Sequence, residues 1–71
     1  MLARPPAPRT AGLIAAIEAA GGIRALARAL GLAHPSVLRW TEVPTRYLLQ
    51  IEQITGVPRE KLRPELYRKR N

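Results

Sequence analysis

The sequence predicts an all-α fold: a compact four- to five-helix bundle with a helix-turn-helix, a flexible basic N-terminal arm and a C-terminal tail. Three observations carry this expectation. Apolar residues recur at helical spacing in several separate windows, and no window alternates with a period of two for long enough to be a strand. Glycine and proline divide the chain into pieces of helix length, at Gly21-Gly22, Gly31, Pro44, Gly56-Val57-Pro58 and Pro64. Two of those pieces meet at a single glycine, Gly31, with apolar stripes on both sides of it.

Taken in order, residues 1–10 hold Pro5, Pro6 and Pro8 together with Arg4 and Arg9. Prolines keep such a segment extended, and it offers few core residues, so it reads as a flexible arm. The Thr10 hydroxyl can accept a bond from a free backbone N–H and so cap the first helix. That helix runs to about Ala20, buries Leu13, Ile14 and Ile17, and ends at Gly21 and Gly22. The second spans about 23–30, with Ile23, Leu26, Ala27 and Leu30 forming the i, i+3, i+4, i+7 stripe. Arg24 and Arg28 share its outer face.

Gly31 stops the second helix where a left-handed backbone is cheap only for glycine, and Leu32 tucks in behind it. Ala27 is small where the two axes would cross closely. The third helix starts near His34 or Pro35 and ends near Trp40 or Thr41, with Pro35 in a first-turn position that needs no N–H. Val37 and Trp40, three apart, face inward. Pro44 opens a fourth helix carrying Tyr47, Leu48, Ile51 and Ile54 on one side, and Gly56 closes it. A short helical turn follows from Pro58 to about Leu62, Pro64 bars its extension, and the end from Glu65 onward is basic and loosely ordered. The expected organisation is an arm (1–10), one domain (11–67) and a basic tail (68–71).

A chain of 71 residues suffices for one domain. At this size roughly 60% of the unfolded surface can be buried, so stability must come from helix packing, with dimerisation as a further source. With no cysteine and one histidine, disulfides and thiolate zinc sites are excluded, and neither a metal site nor a cofactor is expected. No apolar run approaches the roughly 20 residues of a bilayer span, and the first residues lack the apolar core of a signal peptide. The cytoplasm is the expected location, with no membrane partner. The five glutamates, Glu18, Glu42, Glu52, Glu60 and Glu65, are scattered without acid–base spacing, and no glycine-rich phosphate loop follows a strand. No catalytic residue and no enzyme is expected.

The net charge of +7 and pI near 11.4 suit a polyanion, of which nucleic acid is the commonest, although charge alone also serves solubility. The helix-turn-helix spacing narrows that partner to double-stranded DNA, because this motif lays its second helix in the major groove. Base contacts are expected from His34, Ser36, Leu38 and Arg39: a guanidinium can bridge guanine O6 and N7, and Leu38 can meet a thymine methyl. Phosphate contacts are expected from Arg24 and Arg28, and from Thr45 and Arg46 in the first turn of the fourth helix. Arg4 and Arg9 could reach along a groove, or only raise the association rate. Trp40 is read as core, in register with Val37, over a base-stacking role. One copy presents few base-reading side chains, so a homodimer on a paired site is expected, with Val57, Leu62, Leu66 and Tyr67 as its contacts.

A resemblance reinforces this reading. Residues 20–32 (AGGIRALARALGL), then Ser36-Val37, Arg39-Trp40, Val43-Pro44, Ile51-Glu52-Gln53-Ile54-Thr55-Gly56-Val57-Pro58 and the ending Leu62-Arg63-Pro64-Glu65-Leu66-Tyr67, resemble the Cro/YdaS-like group of phage and prophage transcriptional regulators. The likeness covers about residues 13–67 and implies a repressor-like fold, operator DNA as ligand, repression as the activity, and often a homodimer. The recognition helix departs from the group. Relatives commonly open it with polar residues such as Ser-His-Gln, whereas this chain has Ala33-His34-Pro35, and Leu38 at a further polar position. Pro35 cannot hydrogen-bond a base edge, so readout falls to His34, Ser36 and Arg39, or leans on DNA shape. The same departure leaves two other readings open: an antitoxin-like or anti-regulator module with a protein partner, and nonspecific nucleic-acid binding.

Overall fold

A computed structural model describes residues 8–67. Five α-helices follow one another: α1 (Ala11–Ala20), α2 (Ile23–Leu30), α3 (His34–Leu38), α4 (Leu48–Thr55) and α5 (Arg59–Leu62). Two 3-10 turns accompany them, Thr45–Tyr47 before α4 and Pro64–Leu66 after α5, and no strand occurs among the described residues. The predicted all-helical bundle is the observed one.

The helix ends are set by the residues the sequence offers there. Thr10 Oγ1 accepts the Leu13 N–H at 3.2 Å and so caps α1. The Gly22 N–H returns to the Ile17 carbonyl at 2.8 Å and closes the far end. At the α2–α3 corner Gly31 has φ 73°, and the Leu32 N–H reaches the Ala27 carbonyl at 2.9 Å. That closure turns the chain within one residue and drops Leu32 back against the core. Between α4 and α5, Thr55 Oγ1 donates to the Ile51 carbonyl (2.7 Å) and accepts the Val57 N–H (3.1 Å). Glu52 Oε2 then accepts the Arg59 N–H at 3.0 Å, satisfying an otherwise free donor at the start of α5.

All five helices contribute to one core. Leu13, Leu26, Val37, Ile51 and Leu62 are fully enclosed, as is Val43 from the loop after α3, with Ala16, Ala27, Leu30 and Leu48 beside them. Each larger side chain contributes about 1.5–3 kcal/mol by leaving water. No polar or charged residue is buried among the described residues. Helix α1 approaches α5 closely at Gly12, where an added Cβ would stand 2.1 Å from the Leu62 carbonyl oxygen.

Several expectations need correction. Ile14 is 44% exposed, because the face of α1 turned inward carries Leu13, Ala16, Ile17 and Ala20. Helix α3 stops at Leu38, short of Trp40. The fourth helix does not begin at Pro44: three residues of 3-10 turn intervene before α4, and Ile54 near its end is exposed. The segment after Pro64 forms a 3-10 turn where loose chain was expected. Leu62, expected at a dimer contact, is 1% exposed and belongs to the core. Arg63 (φ −137°, ψ 71°) leaves the helical region straight after it, so Leu66 and Tyr67 follow a new direction and remain exposed, while Val57 packs partly against the core.

Candidate nucleic-acid interface

Helix α3 is short, and only Val37 within it is buried. That single anchor decides what the helix shows. Pro35, Ser36, Leu38 and Arg39 are exposed, Leu38 at 47%, while His34 at the start of α3 and Trp40 beyond its end are half-buried. Three of the four residues expected at base edges therefore lie on the surface, and the fourth is partly accessible. Trp40 packs against the core, and its ring stacks on Tyr47 (centroids 5.7 Å apart, planes 28° apart). The aromatic pair ties the exit of α3 to the 3-10 turn, in keeping with a core role for Trp40.

Helix α2 packs its Leu26, Ala27 and Leu30 inward and leaves Arg24 and Arg28 exposed. The whole span between Glu18 and Glu42 holds three arginines and no carboxylate. Nothing on α2 or α3 offsets that positive charge, so an anion approaching these elements meets an attractive field. Thr45 and Arg46 are exposed in the 3-10 turn. The first N–H groups of such a turn have no partner within it, which is the arrangement that receives phosphate oxygens.

Arg9 is not an arm residue reaching away from the body. Its Nη2 donates to the Leu38 carbonyl at 3.2 Å, and the next residue, Thr10, donates its N–H to the Thr41 carbonyl at 2.8 Å. The start of α1 is thereby fastened to the end of α3, with the arginine charge placed at a helix C-terminus. The Arg9 Nε lies out of solvent without a hydrogen-bond partner. Arg4 and the basic tail lie outside the described residues.

One contributor carried no assigned role in the sequence. Arg63 is 12% exposed, and its guanidinium grips the loop that follows α3. Its Nη1 donates to the Val43 carbonyl at 2.7 Å and to Thr45 Oγ1 at 3.3 Å, its Nη2 lies 3.8 Å from Glu42 Oε2, and its Nε pairs with Glu65. The only signal pointing to it was its place in the Leu62–Tyr67 ending, which says nothing about contacts twenty residues upstream.

Among the described residues no cluster of His, Cys, Asp or Glu could hold a metal, and no helix is long and apolar enough to cross a membrane. No curated protein and no solved structure matches the chain. The family described as Bacterial toxin YdaS matches residues 13–71, from the third residue of α1 onward. On that match, which covers most of the sequence, the chain belongs to the bacterial toxin YdaS family.

Proposed function

We propose that this protein binds double-stranded DNA through α3 and acts as a small Cro-like transcriptional regulator, a repressor occupying an operator. The observation that carries the reading is the exposure of Ser36, Leu38 and Arg39 around a buried Val37, together with the exposed Arg24 and Arg28 of α2, in a span without carboxylates. Arg39 reads a base edge, Ser36 and His34 add polar contacts, and Leu38 meets a methyl group. Arg24, Arg28, Thr45 and Arg46 hold phosphates and set the register. A recognition helix this short makes few base contacts, so two copies act together on a paired site.

The test is selection of bound sequences from random duplex DNA, with Arg39→Ala in parallel. An enriched, palindromic motif that flattens in the variant supports the reading. Equal binding to all duplexes by the parent replaces it with nonspecific coating. Failure to bind at moderate salt replaces it with a protein-partner role. That second reading is favoured by Pro35 and Leu38, which offer a protein surface more than a base edge. A salt series separates the roles of the arginines, since loss of one phosphate contact lowers the slope by about one.

A further inference from the structure

We infer that Arg63 is a positioning residue for the DNA-facing surface: it holds the loop after α3 in the shape that presents Thr45 and Arg46 to phosphate, and makes no DNA contact itself. The inference rests on the duplex-binding reading and adds to it a residue with no place in the expected interface.

What its guanidinium can reach decides the role of Arg63. All three nitrogens of Arg63 are engaged with the protein's own chain: Nε with Glu65, Nη1 with the Val43 carbonyl and Thr45 Oγ1, and Nη2 facing Glu42. Two carboxylates flank it, so its charge is locally offset and it adds little to the field that a phosphate meets. The side chain is largely enclosed, where such charge-assisted bonds are stronger than at an open surface.

The segment it holds has no helix of its own between Leu38 and Thr45. Its fastenings come from two directions. On the α3 side, Arg9 and Thr10 hold the Leu38 and Thr41 carbonyls. On the α4 side, Val43 is buried and Arg63 holds its carbonyl. The Thr45 hydroxyl accepts from Arg63 and so keeps its own hydrogen free to donate toward a phosphate oxygen. Arg46 is the next residue along, and its backbone inherits whatever position Thr45 is given. Lysine has one nitrogen and cannot make the same three-sided grip, so Arg63→Lys keeps the charge and loses the geometry.

That distinction supplies the experiment. Binding of a mixed-sequence duplex, which reads phosphate contacts alone, is measured for the parent, Arg63→Lys, Arg46→Ala and the double variant. Amide hydrogen exchange across residues 41–47 is followed without DNA. Losing one charge-assisted phosphate contact costs about tenfold in binding, and a misplaced Arg46 loses that contact. The expected result is a loss of about that size in Arg63→Lys, a similar loss in Arg46→Ala, and a double variant hardly weaker than either single one. Exchange in 41–47 should rise about tenfold while the α2 amides keep their rates. Should Arg63→Lys fail to melt cooperatively, Glu65→Gln, which leaves the arginine in place, is measured in the same cycle and should give the same pattern at smaller size. Parent-like binding by Arg63→Lys overturns the inference, and so do losses that simply multiply in the double variant or exchange that does not change. Faster exchange together with a parent that binds no duplex overturns the DNA reading and the positioning role with it, leaving a structural tether.

Discussion

Gly12→Ala gives the sharpest check on the packing of this bundle, because helix propensity and tertiary contact push in opposite directions. Within an exposed helix the change from glycine to alanine stabilises by about 1 kcal/mol. Here the new Cβ would lie 2.1 Å from the Leu62 carbonyl oxygen, 2.7 Å from its carbonyl carbon and 2.8 Å from its Cα. Even a close carbon–oxygen contact sits at about 3.3 Å, so α5 must retreat from α1 by about 1 Å. The obstructing atoms are backbone, with no side-chain rotamer to absorb the shift, and Leu62 would be levered out of a fully enclosed site. Overpacking of this kind costs about 1–3 kcal/mol, and backbone against backbone belongs at the upper end. After the propensity gain, a net loss of about 2 kcal/mol remains, which lowers the melting temperature of a domain this size by roughly 8–16 °C. Thermal unfolding followed by far-ultraviolet circular dichroism reads it directly. The exposed Ala19→Gly on the same helix is the control and should lose about 1 kcal/mol. A Gly12→Ala protein that melts at or above the parent temperature would refute the close approach of α1 and α5.

Two further predictions use the same measurement. Nothing lies within 4 Å of a Cβ built at Gly31, so the cost of replacing it is purely conformational: Gly31→Ala should lose about 1–2 kcal/mol and Gly31→Asn distinctly less, since asparagine tolerates the left-handed region, and equal losses would point to a steric cause instead. Leu62→Ala should cost about 2–5 kcal/mol, whereas Leu66→Ala should stay within about 0.5 kcal/mol at low protein concentration; the reverse order would return Leu62 to the surface and Leu66 to the core.

The parts of the fold that were legible in the sequence are those governed by local chemistry. Thr10, Gly21-Gly22, Gly31 and Gly56 act through their own backbone geometry or hydroxyl, so the boundaries of α1 and α2 and the close of α4 could be read from residue type and position. The outward face of α3 followed in the same way, because Val37 and Trp40 mark its inner side. What escaped depends on neighbours distant in sequence. Gly12 looks like an indifferent helix residue until α5 is laid across it. Leu62 and Leu66 are four apart and equivalent in a helical pattern; only the break at Arg63 sends one inward and the other out. Pro44 announces a helical start but does not distinguish a 3-10 turn from an α-helix. Arg9 sits in the proline-rich arm and Arg63 just past the predicted turn that ends at Leu62, and their partners lie 29 and 20 residues away.

The two-sided fastening of residues 38–45 bears on the order in which the molecule is finished during synthesis. Arg9 and Thr10 are already made when Leu38 and Thr41 emerge, so that side can close at once. Val43 and Thr45 must wait for Arg63, made 20 and 18 residues later. A chain cut near Gly56 loses α5, and with it both the Arg63 grip and the Leu62 side chain that closes the core. The loop after α3 and the bundle core are therefore completed by the same two neighbouring residues, and neither can be finished without the other.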